Sequence, residues 1–449
     1  MTHLLYPTTN LKAIEQLTIT RGEGVYVYDD RGRRYLEGLA GLWCTSLGYG
    51  NEELVEAAAS QMRRLSYQHL FGGKTHPVAI ALAERLAAML PVADAHVFFG
   101  NSGSDANDTH WKLLRYYYNA IGKPRKRKII VRAAAYHGVT VAAASLTGLA
   151  GNHAHFDLPF EALGIIRTEA AHFYRFGLPG ESETEYATRL AESLEKLILK
   201  EDPQTIAAFM AEPVSGAGGV LVPPATYWEK VQEVLRKYEI LLIDDEVITG
   251  FGRTGNDFAA TTYDLRPQMM TLAKAVTSGY LPLSACVISG ALYEPFAAAS
   301  EKVGTFGHGY TYSGHPVSCA VALQTLEIYA RDRVFERAAK VGIYLQRRLR
   351  ELASHPLVGE VRGVGLIAGL ELVANKQTRQ PFEGMRVGLY TQHCAQRHGL
   401  IVRALPGNTI GICPPLVITE PQVDELVETL RVALDAAVDY VTRERLLTS

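Results

Sequence analysis

Apolar and polar positions change period several times along this chain, and each period predicts an element. Residues 24–36 alternate through Val25-Tyr26-Val27-Tyr28, break at Asp29-Asp30-Arg31-Gly32 and resume at Tyr35-Leu36, which predicts a hairpin. Helical spacing takes over at residues 52–65 and 78–90. From there the pattern is of short apolar runs at 95–99, 129–132, 206–212, 240–245, 269–273 and 285–289, separated by helical stretches. Strands buried on both faces read as unbroken apolar runs, and their alternation with helices predicts an α/β fold with a mainly parallel, doubly wound sheet. After Pro316 comes a long helical stretch. Strand signals follow at 358–372, 401–404 and 409–413, and a last helix starts at Pro421. The predicted organisation is an N-terminal part of a small α+β domain (residues 1–60), a large domain (61–320) and a C-terminal part of the small domain (321–449). A site would lie in the crevice between them.

Composition narrows the class. The 449 residues are 47% hydrophobic, enough for a sizeable core, and the formal net charge of −2 gives no reason to expect nucleic acid. The one basic run, Lys123-Pro124-Arg125-Lys126-Arg127-Lys128, reads as a solvated loop. Five scattered cysteines without a CxxC pair, and histidines without HExxH, argue against disulfides and a metal site. No apolar run reaches membrane-spanning length and no basic-then-apolar leader opens the chain, so a cytoplasmic protein with no membrane partner is expected.

Candidate chemistry gathers at strand ends. Lys274 closes the apolar run Met270-Thr271-Leu272-Ala273, where partial burial would lower its pKa and free the amine for Schiff-base chemistry. The run at 240–243 ends in Asp244-Asp245-Glu246. The run at 95–99 leads into Gly100-Asn101-Ser102-Gly103-Ser104-Asp105 and then a helix, a small-residue start whose N–H groups suit an anion. Each has an ordinary alternative: a solvated lysine, a capping acid, and a helix capped by Ser102 or Ser104. Together, a reactive lysine, an acid and a phosphate cup suggest pyridoxal 5'-phosphate. Strand alternation allows only one of Asp244 and Asp245 to face the ring, and spacing does not choose between them.

These segments resemble the class III aminotransferases of the pyridoxal phosphate fold-type I group, most closely the pyruvate-dependent omega-aminotransferases. The resemblance covers nearly the whole chain. It rests on Gly41-Leu42-Trp43-Cys44, Asn101-Ser102-Gly103-Ser104, Tyr136-His137-Gly138, Glu212-Pro213-Val214-Ser215-Gly216, Asp245-Glu246-Val247 through Gly255, Lys274, Tyr310-Thr311-Tyr312 and Arg362-Gly363-Val364-Gly365. It implies a transaminase that moves an amino group from a primary amine or omega-amino acid to a keto acid, pyruvate above all, by a ping-pong mechanism. It also implies roles for single residues: Lys274 and Asp245 as the catalytic lysine and the pyridine partner, and Ser102, Gly103 and Ser104 at the phosphate. Tyr136, His137, Glu212 and Val247 would surround the cofactor, with Thr311 reaching the phosphate of a partner subunit in a homodimer. Trp43 and Phe71 would wall the amine pocket, and Arg403 would grip a carboxylate. Asp105, Ala275 and Asp244 depart from the family's usual residues. A decarboxylase or aminomutase of the same fold is the alternative reaction, and a binding protein without catalysis the alternative class.

Overall fold

The computed structural model describes residues 3–447. Its central sheet has seven strands in the order His96–Gly100, Ser284–Ile288, Met269–Leu272, Leu241–Asp245, Ile206–Ala211, Lys128–Arg132 and Ile165–Thr168. The last five run parallel to one another. Ser284–Ile288 is antiparallel to both of its neighbours. The apolar runs therefore form the mainly parallel sheet that their lack of alternation predicts. Ile206–Ala211 is buried at every position, which explains why the run has no polar face. The edge strand Ile165–Thr168 is half-buried and carries two isoleucines only, too short a signal to read as a strand.

The predicted hairpin forms from Tyr26–Asp29 and Arg34–Glu37, with Ile19–Glu23 added on its outer side. Leu400–Ile401 joins Arg34–Glu37 in parallel, so the two ends of the sequence meet in one sheet. The signal at 358–372 divides into antiparallel strands Val358–Val364 and Ile367–Asn375. They turn at Gly365, where φ is 55° and a Cβ would stand 2.5 Å from the Arg253 carbonyl oxygen. The run read as one strand at 401–404 is shared between two sheets. Leu400–Ile401 belongs to the first, and Arg403–Leu405 pairs with Thr409–Ile412 in the second.

One expectation is corrected. The basic run is not a wholly solvated loop, because Lys126 is buried and its Nζ donates to the Glu239 carbonyl at 2.7 Å. The same Nζ stands 5.6 Å from the centre of the Tyr118 ring, so the charged head is covered by an aromatic face while it finds an acceptor. Among the described residues no helix is long and apolar enough to cross a membrane.

Candidate active site

The carboxyl ends of the parallel strands open onto a cavity of about 370 Å³. This is where ligands collect in such sheets, because loops there are free to carry side chains inward. Three strand ends supply the chemistry.

The first is the phosphate cup. His96–Gly100 hands over to the helix Gly103–Ala120, which starts directly at the small residues. Ser102 is the N-cap: its Oγ accepts the Asp105 N–H, and the Asp105 carboxylate accepts the Asn101 and Ser102 N–H groups. This capping box consumes the donors before the helix and leaves the first-turn N–H groups of Gly103 and Ser104 without intrahelical acceptors. A Cβ on Gly103 would lie 2.9 Å from Val247 Cγ2. Gly138, with φ of 134°, passes so close to Ser104 that a Cβ would meet its Oγ at 2.5 Å. The cup is thus tight against its neighbours and lined by uncommitted N–H groups, a donor set that suits a phosphate.

The second is the acid. Leu241–Asp245 alternates faces, and the structure separates the two candidates. Asp245 Oδ2 accepts Asn107 Nδ2–H at 2.9 Å and His137 Nδ1 at 2.7 Å, and its Oδ1 accepts the Val247 N–H at 3.2 Å. A carboxylate only accepts, so the His137 proton sits on Nδ1. His137 Nε2 is buried and has no partner. Asp244 lies on the opposite face with both carboxyl oxygens buried and unpartnered. Burial first, and then the charges of Glu246 and Asp245, push its pKa well above the usual carboxylate range. Glu212 is also buried. It accepts the Tyr136 N–H at 3.0 Å and the Gly216 N–H at 2.9 Å, which ties two loops that line the cavity.

The third is the lysine. Lys274 follows Met269–Leu272 and holds φ of 49°, the left-handed region that costs a side chain energy and that clusters at functional sites. Burial lowers its pKa, opposed mainly by the Asp245 charge. Ser102, Gly103, Ser104, Tyr136 and His137 line the one cavity with Lys274, as do Glu212, Asp245 and Val247. Asn107 lines it too and was not singled out from the sequence.

The remaining predicted residues are not in that lining. Trp43 is buried in an apolar cluster that also holds Val214, Ile248, Leu405 and Cys413. Phe71 is 47% exposed and its ring covers Gly309. Thr311 is exposed, its carbonyl accepting from Tyr67 Oη at 2.9 Å. Arg403 is half-buried on Arg403–Leu405 and has no ion pair among the described residues. Burial lowers its pKa, with Tyr136 the charge group that acts on it.

A second cavity of about 540 Å³ borders His172, Arg175, Arg362 and Glu371. His172, Glu360 and Glu371 bring possible metal-ligating atoms within 4.8 Å of one another. The Arg362 guanidinium already lies 2.5 Å from both carboxylates, and Arg175 adds a second cation against Glu371. Two arginines balance two acids, and a divalent ion would bury excess positive charge there.

Fold and site together define a pyridoxal phosphate-dependent transferase. The chain belongs to the class-III aminotransferases, whose family model matches residues 9–434. It is 47% identical over 416 residues to gamma aminobutyrate transaminase 3, chloroplastic, of Solanum lycopersicum, covering 92% of this chain and 79% of that protein. A probable gamma-aminobutyrate transaminase 2, mitochondrial, of Oryza sativa subsp. indica is 46% identical over 435 residues, 96% of this chain and 87% of the other. Among solved structures, an omega transaminase of Pseudomonas jessenii in complex with PMP superimposes with a TM-score of 0.96 at 48% identity, covering 98% of this chain and 97% of that one. A transaminase with L-alanine gives 0.93 at 51% identity, covering 95% and 100%. The protein is an aminotransferase that uses pyridoxal phosphate.

Proposed function

We propose that the chain takes an amino group from a primary amine or omega-amino acid and delivers it to pyruvate, giving alanine, in two half-reactions at one site. The observation that carries this is a single cavity holding a half-buried lysine, a carboxylate fixed by three N–H donors with room on Oδ1 for another, and a helix start with free N–H groups. When bound, pyridoxal phosphate supplies an electron sink for the charge left on carbon as a proton departs. Lys274 Nζ, its pKa lowered by burial, moves that proton between the donor carbon and the carbon that receives it. Asp245 holds a proton on the ring nitrogen, since an adjacent anion favours the cation. The N–H groups of Gly103 and Ser104 hold the phosphate, Tyr136 and Val247 offer an aromatic and an aliphatic face, and Glu212 keeps the Tyr136 loop in place.

Arg403, without an ion pair of its own, receives the carboxylate of the keto acid. Trp43 and Phe71 serve the apolar part of the amine. Phe71 and Thr311 lie on exposed segments in contact around Gly309, and we take these to meet a second copy of the chain, so that the working unit is a homodimer. The transaminase crystallised with L-alanine supports the pyruvate reading, and the gamma-aminobutyrate transaminases support an omega-amino acid donor. The cysteines are free thiols, in keeping with a cytoplasmic setting. A panel of γ-aminobutyrate, β-alanine and carboxylate-free amines with pyruvate, followed by alanine formation, tests the assignment. Turnover of the amine without any keto acid would instead establish a decarboxylase or aminomutase.

A further inference from the structure

Behind Asp245 the side chains form a relay that ends on the strand leading to the lysine. Asn107 Nδ2 donates to the His137 carbonyl at 2.7 Å and to Asp245 Oδ2 at 2.9 Å. Both partners are acceptors, so turning the amide over would set oxygen against oxygen twice. The neighbours therefore fix which end of Asn107 is nitrogen. In that orientation Asn107 Oδ1 is buried and needs a donor. Thr271 Oγ1 supplies it at 2.7 Å, and Thr271 and Asn107 are both almost completely buried. Strand register places Thr271 opposite Asp245, side by side in neighbouring parallel strands, and Thr271 precedes Lys274 by three residues. With two donors on Oδ2 and only the Val247 N–H on Oδ1, Oδ1 is the oxygen with accepting capacity left.

We propose that Thr271 is a positioning residue for the transamination site: its hydroxyl locks the Asn107 amide, which commits the Asn107 donor to Oδ2 and leaves Oδ1 to meet the protonated ring nitrogen of the cofactor. This rests on the reading of Asp245 as the acid partner of the ring. Without the hydroxyl, Asn107 Oδ1 is left buried with no donor, the amide loses the contact that anchors its oxygen end, and its Nδ2 is no longer held on Asp245 Oδ2. A carboxylate that loses a donor becomes more basic and draws the shared proton away from the ring.

The test loads the holoenzyme with pyridoxal phosphate carrying ¹⁵N in the ring and follows the nitrogen chemical shift against pH, beside the single-turnover rate with an amine donor. Thr271→Ser keeps the hydroxyl and should match the parent in both. Thr271→Val removes it at nearly constant volume. The nitrogen signal should then move toward the unprotonated value and the amine half-reaction slow about 10- to 100-fold. If Thr271→Val fails to fold, Thr271→Ala gives the same comparison. A valine or alanine variant with the parent's nitrogen shift and rate would overturn the proposal. So would a serine variant as impaired as the valine one, since packing and not the hydroxyl would then be at work. Asp245→Asn is the control for the underlying reading: an unchanged nitrogen signal there would remove Asp245 from the ring altogether, whatever Thr271 does.

Discussion

Asp244 and Asp245 are consecutive residues of one strand and have opposite environments: three N–H groups converge on Asp245, and none reaches Asp244. The pleat of the strand sends one into the cofactor cavity and buries the other away from it, where Glu246 and Arg132 are among the charges that act on it. Their substitution should separate them. Asp245→Asn is expected to cripple transamination by orders of magnitude, whereas Asp244→Asn should leave a folded enzyme with most of its activity. Initial rates of the two variants check this, and the reverse pattern would mean that the wrong acid has been assigned.

Asp244 also sets a pH dependence of stability. Its folded pKa is raised above the unfolded value of about 3.9, so the folded state keeps a proton that the unfolded chain loses. That contribution is fully present below about pH 4 and is lost as pH rises through the folded pKa. Asp244→Ala should therefore stabilise the protein at pH 8 by about 1–3 kcal/mol, the scale of a buried polar group without a partner. The gain should shrink as pH falls toward 4. Thermal unfolding of parent and variant at several pH values measures it, and a loss of stability at pH 8 would contradict the account.

Lys274 should be the residue that borohydride links to the cofactor in the holoenzyme, as peptide mapping would reveal. Lys274→Ala should retain the cofactor through the phosphate cup yet turn over orders of magnitude more slowly, because the proton carrier is gone. Label on another lysine would sink the assignment.

Crowding at the cup predicts a second-site rescue. Gly103→Ala sets a Cβ 2.9 Å from Val247 Cγ2, and overpacking of this kind costs about 1–3 kcal/mol. Cofactor affinity should fall by roughly 5- to 150-fold on that scale. Val247→Ala in the same chain should restore part of it. Equilibrium titration with pyridoxal phosphate decides, and a double variant no better than Gly103→Ala would show that the valine is not the obstacle.

Arg403→Ala tests recognition of the keto acid. A charge-assisted bidentate pair is worth about 1.5–3 kcal/mol, or about 10- to 150-fold in affinity. The apparent KM for pyruvate should rise by about that factor, while the half-reaction of a carboxylate-free amine changes little. An equal fall in both half-reactions would make Arg403 structural.

Much of this molecule could be read before folding it, for definite reasons. Strands buried on both faces announce themselves as unbroken apolar runs, and Lys274, Asp245 and the glycine-serine cup stand where those runs end. Ile165–Thr168 escaped because an edge strand needs no continuous apolar run. Asn107 and Thr271 escaped because a polar residue within a helix or strand carries no mark of its partner. Hints existed: Asn107 falls one helical turn after Ser104, on the same face, and Thr271 interrupts an otherwise apolar run. Neither hint reveals a hydrogen bond between residues 164 positions apart. The basic run misled because charge alone does not say that Lys126 finds a buried carbonyl.

The seam between the chain's two ends ties the fate of Trp43 to that of Arg403. Gly38 N–H bonds the Ile401 carbonyl at 2.9 Å, and Cys413 N–H bonds the Gly38 carbonyl at 2.7 Å. Trp43 shares one buried apolar cluster with Leu405, two residues beyond Arg403, and both side chains reach Gly411. A smaller residue at Trp43, the obvious way to admit a bulkier amine, would remove the support beneath the strand that carries the arginine. On the roles proposed for Trp43 and Arg403, tolerance for large donors and grip on the acceptor acid would then not be independent traits. Variants selected for one should drift in the other unless the packing at Leu405 is rebuilt alongside.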